Sequence, residues 1–343
     1  MRKFMYIEII VILILLIVSI VVCASVTKDR VYNPELPEKP GNQQSVPPNE
    51  PPADPTDPMQ TEPVVTDPPT EPGPTWMTVA PDRQILAKQY FVYDCKSDTF
   101  VTSSATPDTR VYPASVTKLF TAYIALQYLQ PDQEITAGDA LDMVAWGSSV
   151  AELKKGDVLT AEQLVEAMLL PSGNDAAYVL AAEVGRIIDN KPEETAVAAV
   201  MTFMKEMNSQ AEELGMTGTH FVNPDGIHSN DHYMSYADLC LLGELSLKNE
   251  TIMKYAKVAS EKVTLSAGEV KWENTNKIIN PDSEYYCPYA IGLKTGQTPS
   301  AGSCLLSAFR MNGQEWIIGV FGCPEETDRF DDTIQLFNET IEK

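Results

Sequence analysis

The stretch SCLLSAFRMNGQEWIIGVF at residues 303–321 predicts two long strands joined by a tight turn. Ser303–Arg310 and Glu315–Phe321 are apolar runs on either side of Asn312-Gly313, the dipeptide that best suits a two-residue hairpin turn. Residues 328–341 follow with the apolar spacing of a closing helix. The end of the chain therefore predicts an antiparallel pair of strands with a helix available to cover it.

A second hairpin is predicted far upstream. Gln89–Asp94 and Thr99–Thr102 are apolar runs on either side of a short polar turn at residues 96–98. Strands near both ends of the folded part favour one sheet built from both ends of the chain.

The segment between the two hairpins has helical periodicity. Ser115–Leu129 places apolar side chains on one side of a helix, and Thr160–Leu170 begins at a Thr N-cap with Gln163 at the capping-box position. The boundaries of helices near residues 186–205 are left open. We expect an α/β (α+β) fold in which an antiparallel sheet is flanked by helices and carries a helical subdomain.

The first 76 residues differ from the rest in composition. Met5–Ala24 is nearly continuous Ile, Leu and Val behind Arg2 and Lys3, which predicts a membrane anchor with its N-terminus in the cytoplasm. Cleavage after Ala24 as a signal peptide is the alternative, and the chain is then secreted. We assign residues 1–30 to this anchor or signal segment, and expect a single-pass protein of the cell membrane whose main domain is extracellular.

Residues 31–76 contain 14 of the chain's 25 prolines and few large apolar side chains. Such a segment cannot form a core and excludes helix, which predicts either an acidic, semi-stiff stalk or a disordered spacer. We assign the remaining residues, 77–343, to the catalytic domain.

The net charge of the chain is −23, and most of it belongs to residues 77–343. Nucleic-acid binding is not expected, because such a domain repels phosphates. The six cysteines show no CxxC spacing, which favours buried thiols with at most one disulfide over a metal site. No metal and no cofactor is expected.

Three short motifs carry the chemistry: Ser115-Val-Thr-Lys118, Ser172-Gly-Asn174 and Lys294-Thr-Gly296. Each is weak alone, and Ser25-Val-Thr-Lys28 repeats the first where no helix is expected to hold its geometry. The occurrence of all three motifs in this order is what indicates a common site.

Each motif suits one part of an acyl transfer. Ser115 and Lys118 share a helix face, so Lys118 can activate the Ser115 hydroxyl if burial or a second cation, Lys294, lowers its pKa. Ser172 can pass a proton to the departing amine. Asn174 can bond both Lys118 and the substrate amide, and Gly296 leaves room for the substrate backbone.

The set SxxK, SxN and KTG resembles that of penicillin-binding proteins and class A β-lactamases. The sequence around these motifs is similar to that of the D-alanyl-D-alanine carboxypeptidases over about residues 85–340, for example at residues 113–119, 170–177, 219–226 and 292–298. The resemblance implies a β-lactamase/transpeptidase-like fold and an acyl-enzyme formed with a peptidoglycan stem peptide ending in D-Ala-D-Ala. It also implies β-lactams as inhibitors.

The resemblance implies further site residues. The backbone N–H groups of Ser115 and Gln297 would bind the oxyanion, and Thr295 and Arg329 would bind the substrate carboxylate. The family often has an additional β-rich C-terminal domain, for which this chain has no room. The N-terminal anchor would then replace its role in membrane association.

Several residues receive a structural interpretation instead. Asn223-Pro-Asp-Gly226 is favoured as a turn over a site, and packing is favoured over a cleft position for Trp146. His220 is expected to pack or to form a local hydrogen bond, and His228 and His232 are not expected to bind a metal.

Two other functions stay open. A class A-type β-lactamase would need a Glu that activates water, and neither Glu206 nor Glu212 has the usual context. A catalytically inactive wall-binding protein is disfavoured because every motif residue is present. Cleavage of cross-links by the same site is a further possibility.

Overall fold

The computed structural model describes residues 83–342. The anchor and stalk predicted for residues 1–76 lie outside the described residues. The strands of the described part are β1 (Gln89–Asp94), β2 (Thr99–Ser103), β3 (Arg110–Val111), β4 (Glu134–Thr136), β5 (Val158–Thr160), β6 (Met234–Ser235), β7 (Ser260–Leu265), β8 (Gly268–Glu273), β9 (Ala290–Thr298), β10 (Gly302–Met311) and β11 (Gln314–Cys323). The α-helices are α1 (Thr117–Tyr128), α2 (Ala161–Leu169), α3 (Asn174–Asp189), α4 (Ala196–Glu213), α5 (Tyr236–Leu247), α6 (Glu250–Ala256) and α7 (Asp328–Thr340).

The central sheet has five strands in the order β2-β1-β11-β10-β9, and every neighbouring pair is antiparallel. β1 pairs with β11, so the two ends of the folded part meet in the middle of the sheet. Asn312 and Gly313 have left-handed φ angles of 52° and 76°, which the primed hairpin turn between β10 and β11 requires. The predicted sheet, both hairpins and the closing helix are confirmed.

The sheet separates two apolar cores. Along β11 the side chains alternate: Ile317 and Phe321 join the core with the helical region, while Ile318 and Val320 join the core beneath α7. Phe309 of β10 stacks on Phe337 of α7 with ring centroids 4.7 Å apart.

The helical region follows β3 and contains α1 to α6. α2 begins at a complete capping box, in which the Gln163 N–H donates to Thr160 Oγ1 at 3.1 Å and the Thr160 N–H donates to Gln163 Oε1 at 2.9 Å. This start is confirmed. α3 ends at Asp189 and α4 begins at Ala196. These are the helix boundaries near residues 186–205 that the sequence left open.

Two details differ from the predictions. Ser115 and Val116 belong to a 3₁₀ turn, Ala114–Val116, and the α-helix begins only at Thr117. The β7–β8 hairpin was not predicted, because its strands are largely exposed and lack a strong apolar pattern.

The five cysteines of the described part are free thiols, and four of them are buried. The predicted buried thiols are thus confirmed, and the one disulfide left open is not formed among these residues. Within residues 83–342, no helix is both long and apolar enough to cross a membrane.

Candidate active site

Ser115 and Lys118 meet where the 3₁₀ turn enters α1. Lys118 Nζ donates a hydrogen bond to Ser115 Oγ at 2.8 Å, and the lysine side chain is fully buried. An amine in contact with a hydroxyl can take its proton once the amine is neutral. The predicted contact is present, and the roles given to the two residues stay predictions.

A backbone carbonyl completes the surroundings of Lys118. Lys118 Nζ donates to the Asp225 carbonyl oxygen at 2.7 Å, and Ser115 Oγ donates to the same oxygen at 3.4 Å. Asp225 lies in the turn at residues 223–226, where the Gly226 N–H donates to Asn223 Oδ1 at 2.8 Å. The predicted turn is confirmed, and its Asp225 carbonyl oxygen also contacts Lys118.

Gly226 lets this turn approach the nucleophile. Its φ is +86°, and an added Cβ would lie only 1.9 Å from the Ala114 carbonyl oxygen. Any larger residue would push the turn away from Ser115.

β9 forms the opposite side of the nucleophile. An added Cβ at Gly296 would lie 2.8 Å from the Pro113 carbonyl oxygen and 2.9 Å from the Ser115 nitrogen. Lys294 is buried on this strand and donates to the Thr295 carbonyl oxygen at 3.1 Å. The Thr295 hydroxyl contacts the hydroxyl of Thr275.

The two motif lysines have lowered pKa values. Burial lowers the pKa of Lys118 to about 8, although the carboxylates of Asp225 and Asp175 oppose the shift. Burial also lowers the pKa of Lys294 well below its usual range, and repulsion from Lys118 and Arg329 adds to this. The sequence offered two causes for a lowered pKa of Lys118, burial or a second cation, and burial is the one that acts.

Ser172 and Asn174 lie between α2 and the start of α3, and both are buried. Ser172 has a left-handed φ of 62°. Asn174 Oδ1 is buried without a hydrogen-bond partner in the described part of the chain. The expected bond between Asn174 Oδ1 and Lys118 is therefore not formed, and Lys118 Nζ bonds Ser115 Oγ and the Asp225 carbonyl oxygen.

A loop at residues 145–153 is fixed to the start of α3. The Asp175 carboxylate accepts hydrogen bonds from the backbone N–H groups of Ala151 at 2.9 Å and Leu153 at 3.1 Å. The Asn174 N–H donates to the Ser149 carbonyl oxygen at 2.9 Å. The loop and the SxN motif consequently form one unit.

These elements enclose a cavity of about 300 Å³. Three residues of the predicted set line it: Ser115, Asn174 and Gln297. The other lining residues are Ala145, Trp146, Gly147, Ser148, Ser149, Gly226, Ile227, His228, Thr298 and Pro299. No carboxylate side chain is among these lining residues.

Trp146 corrects an expectation. Packing was favoured for this residue, but its relative exposure is 101% and it lines the catalytic cavity. Local hydrogen bonds to the Ala145 carbonyl oxygen hold its turn, and the indole is fully exposed. A Trp beside Gly147-Ser148-Ser149 was the available hint.

Arg329 lies at the start of α7 behind β9. Its guanidinium donates to the Gly296 carbonyl oxygen at 3.4 Å and to Glu326 Oε1 at 2.8 Å. Arg329 is buried, and its Nε has no partner in the described residues. The contact with β9 places this cation next to the KTG motif.

The histidines have supporting positions. His232 is buried, with Nε2 2.8 Å from Thr117 Oγ1, and burial lowers its pKa to about 3. His220 Nδ1 lies 2.6 Å from the Asp231 carbonyl oxygen, which confirms the expected local hydrogen bond. Among residues 83–342, no three His, Cys, Asp or Glu side chains are arranged to hold a metal ion.

Residues 75–325 match the sequence profile of the family described as D-alanyl-D-alanine carboxypeptidase. The chain belongs to this family. Membership makes it a serine-type peptidase, and it agrees with the contact between Ser115 and Lys118.

Two curated relatives show how much of each chain the similarity covers. The chain is 33% identical to a D-alanyl-D-alanine carboxypeptidase of Streptomyces sp. (strain K15) over 67% of its length and 79% of the relative. It is 30% identical to D-alanyl-D-alanine carboxypeptidase DacF of Bacillus subtilis (strain 168) over 64% of its length, but only 53% of that relative.

Solved structures agree with the fold. The crystal structure of the Streptomyces K15 DD-transpeptidase matches with a TM-score of 0.68 and 30% identity, covering 76% of this chain and 99% of that one. Penicillin-binding protein D2 from Listeria monocytogenes, in its ampicillin-bound form, matches with a TM-score of 0.60 and 26% identity, covering 75% and 98%. The predicted fold and family are confirmed.

Proposed function

We propose that this chain removes the terminal D-Ala from peptidoglycan stem pentapeptides through an acyl-enzyme on Ser115. One observation carries the proposal: the buried Lys118 Nζ lies 2.8 Å from the Oγ of Ser115, and Ser115 lines a cavity together with Gln297 of β9 and Asn174 of the SxN motif. Family membership supplies the substrate class.

In the acylation step, neutral Lys118 takes the proton of Ser115 Oγ as that oxygen attacks the carbonyl between the two D-alanines. The backbone N–H groups of Ser115 and Gln297 stabilise the oxyanion. Ser172 passes a proton to the departing D-Ala amine, and Asn174 uses its unpartnered Oδ1 to hold the substrate amide.

The substrate ends in a carboxylate, and a cation must balance it in an acidic domain. Lys294 and Thr295 belong to β9, and Arg329 bonds the Gly296 carbonyl oxygen of the same strand, so these three residues are the groups that we assign to this carboxylate. Water then hydrolyses the ester on Ser115 and releases the shortened peptide.

A β-lactam acylates Ser115 in the same way, and the ampicillin-bound Listeria relative supports this assignment. Rapid turnover, as in a β-lactamase, requires a carboxylate that activates water. Glu206 is instead engaged by Gln210 at 2.7 Å and by Tyr128, and Glu212 is exposed on α4. The penicilloyl adduct is therefore expected to persist for hours.

The test is an assay of D-alanine release from a diacyl-Lys-D-Ala-D-Ala peptide, with Ser115→Ala as the matched control. Release that is lost in the variant would establish the reaction and its nucleophile. A folded protein that binds penicillin but releases no D-alanine would refute carboxypeptidase activity and favour cross-link cleavage. Transfer of the acyl group to an added amine would reveal the activity named in the Streptomyces structure.

The proposal includes location. The basic residues Arg2 and Lys3 before the apolar run Met5–Ala24 support a single membrane anchor with the catalytic domain outside the cell. Fractionation of cells that express the full chain, with N-terminal sequencing of the product, tests it. Recovery in the membrane with residue 1 or 2 at the N-terminus is expected, whereas a soluble product beginning near residue 25 would indicate secretion.

A further inference from the structure

Trp146 is an unusual residue for the surface of a folded domain. Its relative exposure is 101%, whereas Trp272 and Trp316 are buried at 2% and 8%. A large aromatic side chain left in water at the mouth of a cavity marks a binding surface, because covering it releases ordered water and gains contact area.

The turn that carries Trp146 is well fixed. The Ser148 hydroxyl and N–H both donate to the Ala145 carbonyl oxygen, at 2.7 Å and 3.3 Å. A few residues further on, the Ala151 N–H is held by the Asp175 carboxylate at 2.9 Å. The indole is therefore presented by a defined backbone on both sides.

The same cavity has two further apolar lining residues, Ile227 and Pro299. Ile227 is 37% exposed and follows the turn that bonds Lys118, and Pro299 follows β9. Trp146, Ile227 and Pro299 share the cavity with Ser115. These three side chains give the cavity apolar surface in addition to its polar lining residues.

We propose that Trp146 forms a subsite for the long side chain of the diamino acid that precedes D-Ala-D-Ala in the stem peptide. This proposal rests on the proposed function. The two D-Ala methyl groups are too small to cover an indole. The diamino acid is the first residue of the substrate with an alkyl chain of sufficient length, and its ammonium group suits the face of a Trp ring.

The kinetic test pairs an enzyme variant with a substrate change. Peptides X-D-Ala-D-Ala with X as Lys or as Ala are compared on the wild type and on Trp146→Ala. We expect kcat/KM to fall about tenfold for the Lys peptide, mainly through KM, and less than twofold for the Ala peptide. An equal loss with both peptides would overturn the proposal.

A matched control is Met201→Ala on α4, because Met201 is also exposed, at 60%, but is not a lining residue of the cavity. It should change neither peptide's kinetics. Both variants should keep the wild-type melting temperature within about 2 °C, since exposed side chains contribute little to stability.

Fluorescence supplies a readout independent of turnover. In Ser115→Ala protein, the Lys peptide should change the tryptophan emission, and the change should vanish when Trp146→Phe is added. If neither peptide releases D-alanine from the wild type, the proposed function fails, while this binding signal still decides the subsite. If the emission changes with protein concentration and not with added peptide, the indole contacts another copy of the chain, and the proposal is overturned.

Discussion

Lys118, the residue proposed as the base, has no contact with solvent. Its Nζ lies 2.8 Å from Ser115 Oγ and 2.7 Å from the Asp225 carbonyl oxygen. Both oxygens can accept a hydrogen bond from the neutral amine as well as from the ammonium form. Burial penalises the ammonium form, which makes the neutral form available near physiological pH.

This burial predicts the pH dependence of acylation. The pKa of Lys118 is lowered to about 8, so the fraction of neutral amine rises as the pH passes upward through that value. We expect the rate of acylation by a fluorescent penicillin to rise between pH 6.5 and about 9 and then level off. Stopped-flow measurements over this range test it. A rate that is flat across pH 7 to 9 would exclude Lys118 as the base.

Asp225 sets the position of that rise. Its carboxylate favours the charged form of Lys118, and its backbone carbonyl holds the amine. Asp225→Asn keeps the carbonyl and removes the charge, so the midpoint of the acylation profile should move to lower pH by about half a unit to one unit. Asp231→Asn, an exposed change beyond the same turn, is the control and should move nothing. A midpoint that stays in place or rises would contradict the assignment.

The sequence predicts those site residues whose side chains belong to a motif with a fixed spacing along the chain. Ser115 and Lys118 are three apart and in contact across the junction of the 3₁₀ turn and α1, and the spacing alone predicts this contact. The Asp225 carbonyl could not be predicted, because any residue type supplies a backbone oxygen and 107 residues separate it from Lys118. The exposure of Trp146 was equally hidden, since it depends on which elements fail to cover the turn.

At the scale of elements, β9 approaches the 3₁₀ turn that carries Ser115 very closely. Gly296 has no side chain to separate them, and a Cβ there would lie 2.8 Å from the Pro113 carbonyl oxygen. Interior backbone contacts of this kind cannot relax without moving the strand.

Gly296→Ala should therefore lower the acylation rate by about 100-fold, because a shift of about 1 Å is enough to misplace the oxyanion site. Gly138→Ala is the matched control, since the nearest atom to an added Cβ there is 3.9 Å away. Penicillin acylation rates and melting temperatures of both variants are the measurements. An unchanged rate in Gly296→Ala would show that the close approach is not required.

Elements with local signals were predicted well, and elements without them were not. The capping box at Thr160 and the Asn312-Gly313 turn depend on neighbours within three residues, so their sequence patterns are sufficient. The β7–β8 hairpin is exposed along most of both strands, and it therefore lacks the apolar alternation by which strands are recognised.

At the scale of the molecule, the two ends of the folded part are joined by one buried carboxylate. Asp332 of α7 accepts hydrogen bonds from the backbone N–H groups of Leu86 at 2.9 Å and Ala87 at 2.6 Å, and it is in contact with the guanidinium of Arg83. These contacts fix the residues before β1 against the last helix. The sequence predicted a sheet built from both ends, but a contact across almost 250 residues has no local signature.

The whole domain is acidic, with 48 Asp and Glu residues against 25 Lys and Arg in the chain. Several of its carboxyl groups are buried. Glu166 on α2 is an example, since its Oε1 is buried and has no partner in the described part of the chain. Burial, followed by repulsion from Glu261, raises the pKa of Glu166 from 4.5 to about 7.

Because the folded state holds this proton more tightly than the unfolded chain, Glu166 stabilises the fold fully below pH 4.5 and loses that contribution as the pH rises through about 7. The melting temperature should consequently fall between pH 5.5 and 8. Glu166→Gln mimics the protonated form, so it should raise the melting temperature at pH 8 by about 2–6 °C and flatten the profile. Glu212→Gln, an exposed change on α4, is the control. A variant that melts lower than the wild type at pH 8 would mean that the charged form of Glu166 is the one that the fold requires.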